Sequence, residues 1–171
     1  MSRPQVIDDE EHERVNERVA AIDVAKDSGM VCTRAPHPSR PGARRSAIWT
    51  VKARMNTIGG LGRQLKQDGI EIVTLESTSD YWRIWFFVLE AAGLAVQLVN
   101  AAQAKNLPGR PKTDKADAMW LARLTEMGLL RASFVPPKPV RDLRDYTRMR
   151  TRLVQERTRC WQRLESCWRA R

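Results

Sequence analysis

Histidine and cysteine are scarce in this chain of 171 residues: two of the first and three of the second. Cys32, Cys160 and Cys167 form an odd set without regular spacing. That argues against a disulfide framework and for a reducing, cytoplasmic setting. His12 and His37 are too few to complete a zinc site with those cysteines, and too few for a hydrolase triad beside Ser77, Thr78 and Ser79. A long apolar run is also missing. The longest, around Trp82 to Leu98, is broken by Arg83, Glu90, Gly93 and Gln97, so no bilayer-spanning helix is expected. Met1 to Arg18 is polar and acidic, without the basic start and apolar stretch of a signal peptide. The chain reads as soluble and intracellular, with no membrane partner and no internal repeat.

Negative charge is in deficit. Lys and Arg number 30 against 20 Asp and Glu, giving a net charge of +10. The isoelectric point is about 10.2. Such a balance predicts an anionic partner, most often nucleic acid. Hydrophobic residues make up 42%, which is enough to build the core of one compact domain with a short extension.

Residues 1–17 are charged and aperiodic, and read as a disordered tail. Val19 to Ala25 is short and rich in Val, Ile and Ala, the pattern of a buried strand. Met30 to Thr33 and Ile48 to Ala53 are two further strands, forming an antiparallel meander with the first. Between them, Arg34 to Arg45 holds three prolines and a glycine and reads as an irregular basic loop. Thr57 to Gln67 carries Ile58, Leu61 and Leu65 at helical spacing, with Gly69 as its cap. Gly59, Gly60 and Gly62 lack the lysine and hydroxyl residue of a phosphate-cradling loop. A strand at Ile70–Leu75, a helix at Tyr81–Ala92 and a strand at Leu94–Val99 imply parallel pairing by right-handed crossovers. Trp82, Trp85, Phe86 and Phe87 read as core. After a basic Pro/Gly loop, Lys105 to Pro111, a helix is expected over Asp114–Met127. Pro136, Pro137 and Pro139 mark a boundary. Domains are therefore expected at 18–135 and 136–171. The second is one long basic helix carrying +7, with Leu143, Tyr146, Met149, Leu153, Cys160, Leu164 and Cys167 in a stripe.

Four acids stand out against this basic background: Asp23, Glu76, Asp114 and Asp117. A carboxylate in or at the end of a buried strand is costly unless something cationic pairs with it. Singly, each has a plain explanation. Asp114 can be an N-cap and Asp117 a first-turn acid favoured by the helix dipole. Glu76 can pair with a lysine. Asp23, flanked by apolar residues on both sides, is harder to explain so. Together they read as a two-metal site for Mg2+ or Mn2+, whose preference is for hard oxygen ligands. Such a pair of ions drives phosphoryl transfer. Arg34, Arg40, Arg44, Arg45, Lys105, Arg110 and Lys112 are then candidates for phosphate contact.

Five motifs occur in order: Ala21-Ile-Asp-Val-Ala-Lys26, Leu75-Glu-Ser-Thr78 with Tyr81, Val99-Asn-Ala-Ala-Gln103, Lys105-Asn-Leu-Pro-Gly-Arg110 and Lys112-Thr-Asp-Lys-Ala-Asp-Ala118. Phe134-Val-Pro-Pro137 and Arg141-Asp-Leu-Arg144 follow. Over roughly residues 18–165 the chain resembles the DEDD transposases, insertion-sequence recombinases akin to the pilin-gene invertase. The resemblance implies an α/β fold with an RNase H-like (RuvC-type) mixed sheet, flanking helices and a long C-terminal helix. It implies Asp23, Glu76, Asp114 and Asp117 as catalytic metal ligands, DNA strand exchange with Mg2+, and no target duplication. It also implies a structured guide RNA from the element and homo-oligomers, here through the last helix. Two departures are present. Ser79 stands where the family has glycine. The second family domain, with its catalytic serine, has no counterpart after Glu165, so a truncated chain is expected. Two rival readings are a non-catalytic nucleic-acid-binding remnant and a stand-alone metal-dependent junction nuclease.

Overall fold

The computed structural model describes residues 5–7, 14–76, 79–100 and 114–169. Two compact units divide the chain, residues 1–133 and 134–171. The first is built on one six-stranded sheet. Its strands are β1 (Gln5–Ile7), β2 (Val19–Val24), β3 (Ser28–Pro36), β4 (Arg44–Lys52), β5 (Ile72–Glu76) and β6 (Ala95–Val99). Spatial order is β1-β4-β3-β2-β5-β6. β2, β3 and β4 pair antiparallel, as do β1 and β4, whereas β2, β5 and β6 run parallel. This is the RNase H-like mixed sheet. β2 is the central hinge between its antiparallel and parallel halves, so it is buried along almost its whole length.

Helices cover both faces. α1 (Met55–Gln67) and α2 (Trp82–Ala91) are the crossovers of the parallel half. Ile58, Leu61 and Leu65 of α1 and Trp85, Phe86 and Leu89 of α2 are buried. Gly69 and Gly93, at φ +69 and +81, end the two helices in left-handed turns. Gly62 is a packing residue: a Cβ there would lie 3.0 Å from Ala92 Cβ. α3 (Asp114–Glu126) covers the other face. Its Ala118, Leu121 and Ala122 form a core with Ala21, Cys32 and Val99. No described helix is long and apolar enough to cross a membrane.

Two expectations are corrected. The tail of residues 1–17 is not structureless throughout. Gln5–Ile7 pairs with β4, and the backbone N–H groups of Val15 and Asn16 donate to Glu126 O. Three residues are too few to leave a periodic trace in sequence. Nor is Arg34–Arg45 one irregular loop. β3 runs on to Pro36 and β4 starts at Arg44, in register Arg34↔Ser46 and Pro36↔Arg44. Proline is tolerated there because it sits at a strand end.

In the second unit, α4 (Lys138–Arg169) is a single helix of 32 residues with no buried residue. Arg141 Nη1 donates to Pro136 O at 2.9 Å, and Lys138 pairs with Asp142 at 3.1 Å, which anchors the first turn.

Gly29 tests how tightly α2 presses on the sheet. A Cβ there would meet Ile22 Cγ2 at 2.8 Å and Trp85 Cζ2 at 2.9 Å. Gly29→Ala is expected to cost about 1–3 kcal/mol through overpacking. A urea titration should show a lowered midpoint at unchanged slope, and an unchanged midpoint would mean that the wall yields.

Candidate active site

Alternation along β2 decides what each face carries. Ala21 packs on α3, so Asp23, two residues on, points to the α3 face as well. The same parity holds on β5. Thr74 accepts a hydrogen bond from Thr125 of α3 at 2.8 Å, which puts Glu76 on that face. Asp23 and Glu76 are register partners across the parallel β2–β5 pair. Neighbouring strands lie about 4.8 Å apart. Two carboxylates therefore stand side by side at the C-terminal ends of two adjacent strands. Glu76 is 7% exposed and Asp23 is half-buried.

The direction of α3 brings its first turn to the same end. Glu126, its last residue, ion-pairs with Arg34, whose register partner is Val19 at the start of β2. Ala118 and Ala122 lie over Ala21 and Cys32. The helix thus runs antiparallel to β2, from the Asp23 end to the Val19 end. Asp114 begins it and Asp117 follows one turn on, half-buried. The side chain of Asp114 lies outside the described residues. Among the described residues no three His, Cys, Asp or Glu side chains form a group able to hold a metal ion. Asp23 and Glu76, the two acids that the register sets side by side, offer oxygen donors, which suit Mg2+ or Mn2+ better than a soft metal.

The model of the DEDD transposase family, described as a transposase, matches residues 20–169. The chain belongs to the DEDD transposase family. By family it is an enzyme of DNA phosphoryl transfer. No curated protein matches it. RuvC of Thermus thermophilus is similar in structure at 18% identity and a TM-score of 0.49, over 68% of this chain and 99% of that one. RuvC of T. thermophilus in complex with Holliday junction substrate gives 17% and 0.48, over 68% and 99%. A fowlpox virus resolvase in complex with Holliday junction DNA gives 14% and 0.45, over 67% and 99%.

The basic candidates of this transposase separate into three groups. Lys105, Arg110 and Lys112 lie outside the described residues. Arg40 and Arg45 are exposed. Arg45 points to the face away from α3, where it lines a cleft of about 370 Å³ with Arg18, Trp49 and Gln64. Arg34 and Arg44 reverse the expectation of phosphate contact. They are 2% and 1% exposed, and both engage Glu126. Arg34 Nε reaches Glu126 Oε2 at 2.9 Å, and Arg44 Nη2 pairs with Glu126 Oε1. Arg44 also contacts Glu17, through Nη1 to Oε2 at 3.3 Å and Nη2 to the backbone oxygen. The reason is parity. Arg34 shares its face with Met30 and Cys32, and Arg44 with Ser46 and Ile48, so both side chains enter the α3 interface.

Glu126 is the residue that sequence reasoning missed. It lies four and eight residues beyond Ala122 and Ala118, on the buried stripe of α3. A carboxylate at a helix C-terminus opposes the dipole, so an acid there signals a cation waiting for it. Thr125, beside it, donates to Thr74 at 2.8 Å, and Gln97 donates to Thr74 at 2.7 Å. Burial pushes the Cys32 thiol up to about 12, with Arg34 lowering it and Glu126 raising it less strongly. Cys32 is therefore a protonated core residue at neutral pH and no nucleophile.

Glu126→Gln leaves two buried arginines without their shared carboxylate. A loss of about 3–5 kcal/mol is expected in chemical denaturation. Arg45→Gln, on the exposed face, should change stability by less than about 0.5 kcal/mol. Equal effects would show that the buried cluster is not what holds α3.

Proposed function

We propose that Asp23, Glu76, Asp114 and Asp117 bind the catalytic Mg2+ (or Mn2+) of a transposase that breaks and rejoins DNA strands for a mobile insertion sequence. The observation that carries this reading is the Asp23↔Glu76 register pair beneath the start of α3. Carboxylates on adjacent strands at one end of a sheet suit a divalent cation held between them. Asp23 and Glu76 would hold that cation from the sheet, and Asp114 and Asp117 from the helix. Metal ions bound there supply an activated nucleophile and stabilise the leaving oxygen. The protein's own part is positional: a rigid sheet fixes two ligands, and a helix clamped at its far end carries the other two. Lys105, Arg110 and Lys112 immediately precede that helix, and Arg40 and Arg45 remain exposed; these five would contact phosphate.

DNA is the substrate in this reading, a structured guide RNA of the element is a further partner, and the cytoplasm is the setting that suits three free cysteines. Self-assembly runs through α4. Leu143, Leu153, Trp161 and Trp168 are between 53% and 84% exposed. A helix this long, with an uncovered apolar stripe, is stable only against a partner.

Two measurements test the proposal. Magnesium should raise the melting temperature of the full chain by binding the folded state only. Asp23→Asn should abolish most of that gain, and an equal gain in the variant would place the ion elsewhere. Sedimentation should show a concentration-dependent oligomer that Leu153→Ser with Trp161→Ser dissociates. A monomeric parent at high concentration would refute assembly through α4.

A further inference from the structure

α4 has two poles. At about 100° per residue, Arg141, Arg144, Arg148, Arg152, Arg159 and Arg163 fall within one arc of roughly 100°. Leu143, Leu153, Val154, Trp161, Leu164 and Trp168 fall within another of the same width, centred directly opposite. No residue of α4 is buried, and of these twelve only Arg141, half-buried with Nη1 on Pro136 O, is partly covered. Asp145 stands at the border of the arginine arc, and its centre holds no acid.

We propose that the arginine face of α4 is a docking surface for the phosphate backbone of duplex DNA. The inference extends the DNA-acting reading above and rests on it. Charge complementarity carries it. Six permanently cationic side chains form a line from Arg141 to Arg163, about 33 Å long at 1.5 Å per residue. That is close to one turn of B-DNA, about 34 Å. Most steps along the line are three or four residues, about 4.5–6 Å of rise, so guanidinium groups on flexible stems face the phosphates wherever a strand crosses the line. Arginine suits the task, because its planar fork binds phosphate through paired hydrogen bonds. A membrane-surface helix is a different object. Its basic residues flank the apolar arc and snorkel to the headgroups from there. Here they gather at the far pole, which leaves the apolar arc to protein and the basic arc to nucleic acid.

Two arginines provide a charge-matched control. Arg150 and Arg157 lie within the apolar arc, amid Leu153, Val154 and Trp161. The experiment compares Arg148→Gln with Arg152→Gln against Arg150→Gln with Arg157→Gln in the full chain. Both double variants lose two charges, and glutamine keeps the helix. Affinity for a duplex DNA is measured over a range of salt. Removing the Arg148/Arg152 pair should reduce the slope of log K against log salt by about 1.8, roughly 0.9 for each phosphate no longer neutralised. The Arg150/Arg157 pair should leave the slope as in the parent. Equal changes from the two pairs would reduce the effect to net charge and overturn the proposal. So would a slope change seen with a structured RNA or anionic vesicles but not with duplex DNA. Magnesium-dependent stabilisation should be the same in both variants and the parent. Its loss from the parent itself would instead sink the metal reading.

Discussion

One carboxylate organises the α3 side of the sheet. Glu126 receives Arg34 from β3 and Arg44 from β4, and all three side chains are at most 2% exposed. Glu17 joins from the rim, so two arginines and two glutamates cancel in formal charge. A buried cluster of this kind is weak evidence for net stability, because desolvation offsets most of the attraction. Its effect is on geometry. Apolar packing between Ala118, Ala122 and Ala21 would tolerate a helix shifted along its axis. A carboxylate that must meet two fixed guanidinium groups tolerates almost no shift. The Thr125–Thr74–Gln97 hydrogen bonds add a second fixed point on the parallel half of the sheet. α3 is thus pinned at its C-terminal end to strands of both halves.

The consequence appears at the other end. From Asp114 to Glu126 the helix rises about 18 Å. From Val19 to Asp23 the central strand advances about 13 Å. With Glu126 fixed above the Val19 row, Asp117, about 13.5 Å back along the helix, comes to the row of Asp23 and Glu76, and Asp114 about 5 Å beyond it. Structural ionic groups and proposed catalytic ones therefore occupy opposite ends of a single helix–sheet interface. The separation is chemically sensible. Arg34 and Arg44 are held by Glu126 at the Val19 end, away from the acids proposed as ligands.

Much of this was legible in the sequence, for local reasons. Apolar runs of strand length gave β2 and β5, and helical spacing with a terminal glycine gave α1 and its left-handed turn at Gly69. Asp23 and Glu76 stood out because a carboxylate in an apolar strand is costly, and the β2–β5 register sets them side by side. Two of the basic residues, Arg34 and Arg44, were misread, because composition says nothing of strand parity. Arg34 and Arg44 flank a Pro/Gly-rich turn, and their neighbours suggested a solvated loop. Counted by twos from Cys32 and Ile48, both point into the core. Glu126 was missed, although the same kind of count, four residues past Ala122, puts it on the buried stripe of α3. Neither signal is decisive alone. A buried arginine is improbable without an acid and a buried acid without an arginine, and nothing local says that residues 92 apart in the chain will meet.

α4 obeys a different rule from the sheet unit. Within the sheet unit, charge at an apolar face is matched inside the chain. On α4 neither the apolar arc nor the arginine arc finds cover in its own segment, and the two are turned away from each other. An amphipathic helix that served only to pack would need one ordered face, and its other face would carry charges of mixed sign for solubility. The arginine pole spans six turns of helix, with one acid, Asp145, at its border and one longer step, Arg152 to Arg159. Mutual repulsion along such a line disfavours the isolated helix, since like charges three and four residues apart destabilise it. An arrangement that costs helix stability, offset only in part by Asp145 and Glu156 at three- and four-residue spacing, is accounted for by a phosphate backbone laid against it, with the apolar pole held by protein on the opposite side.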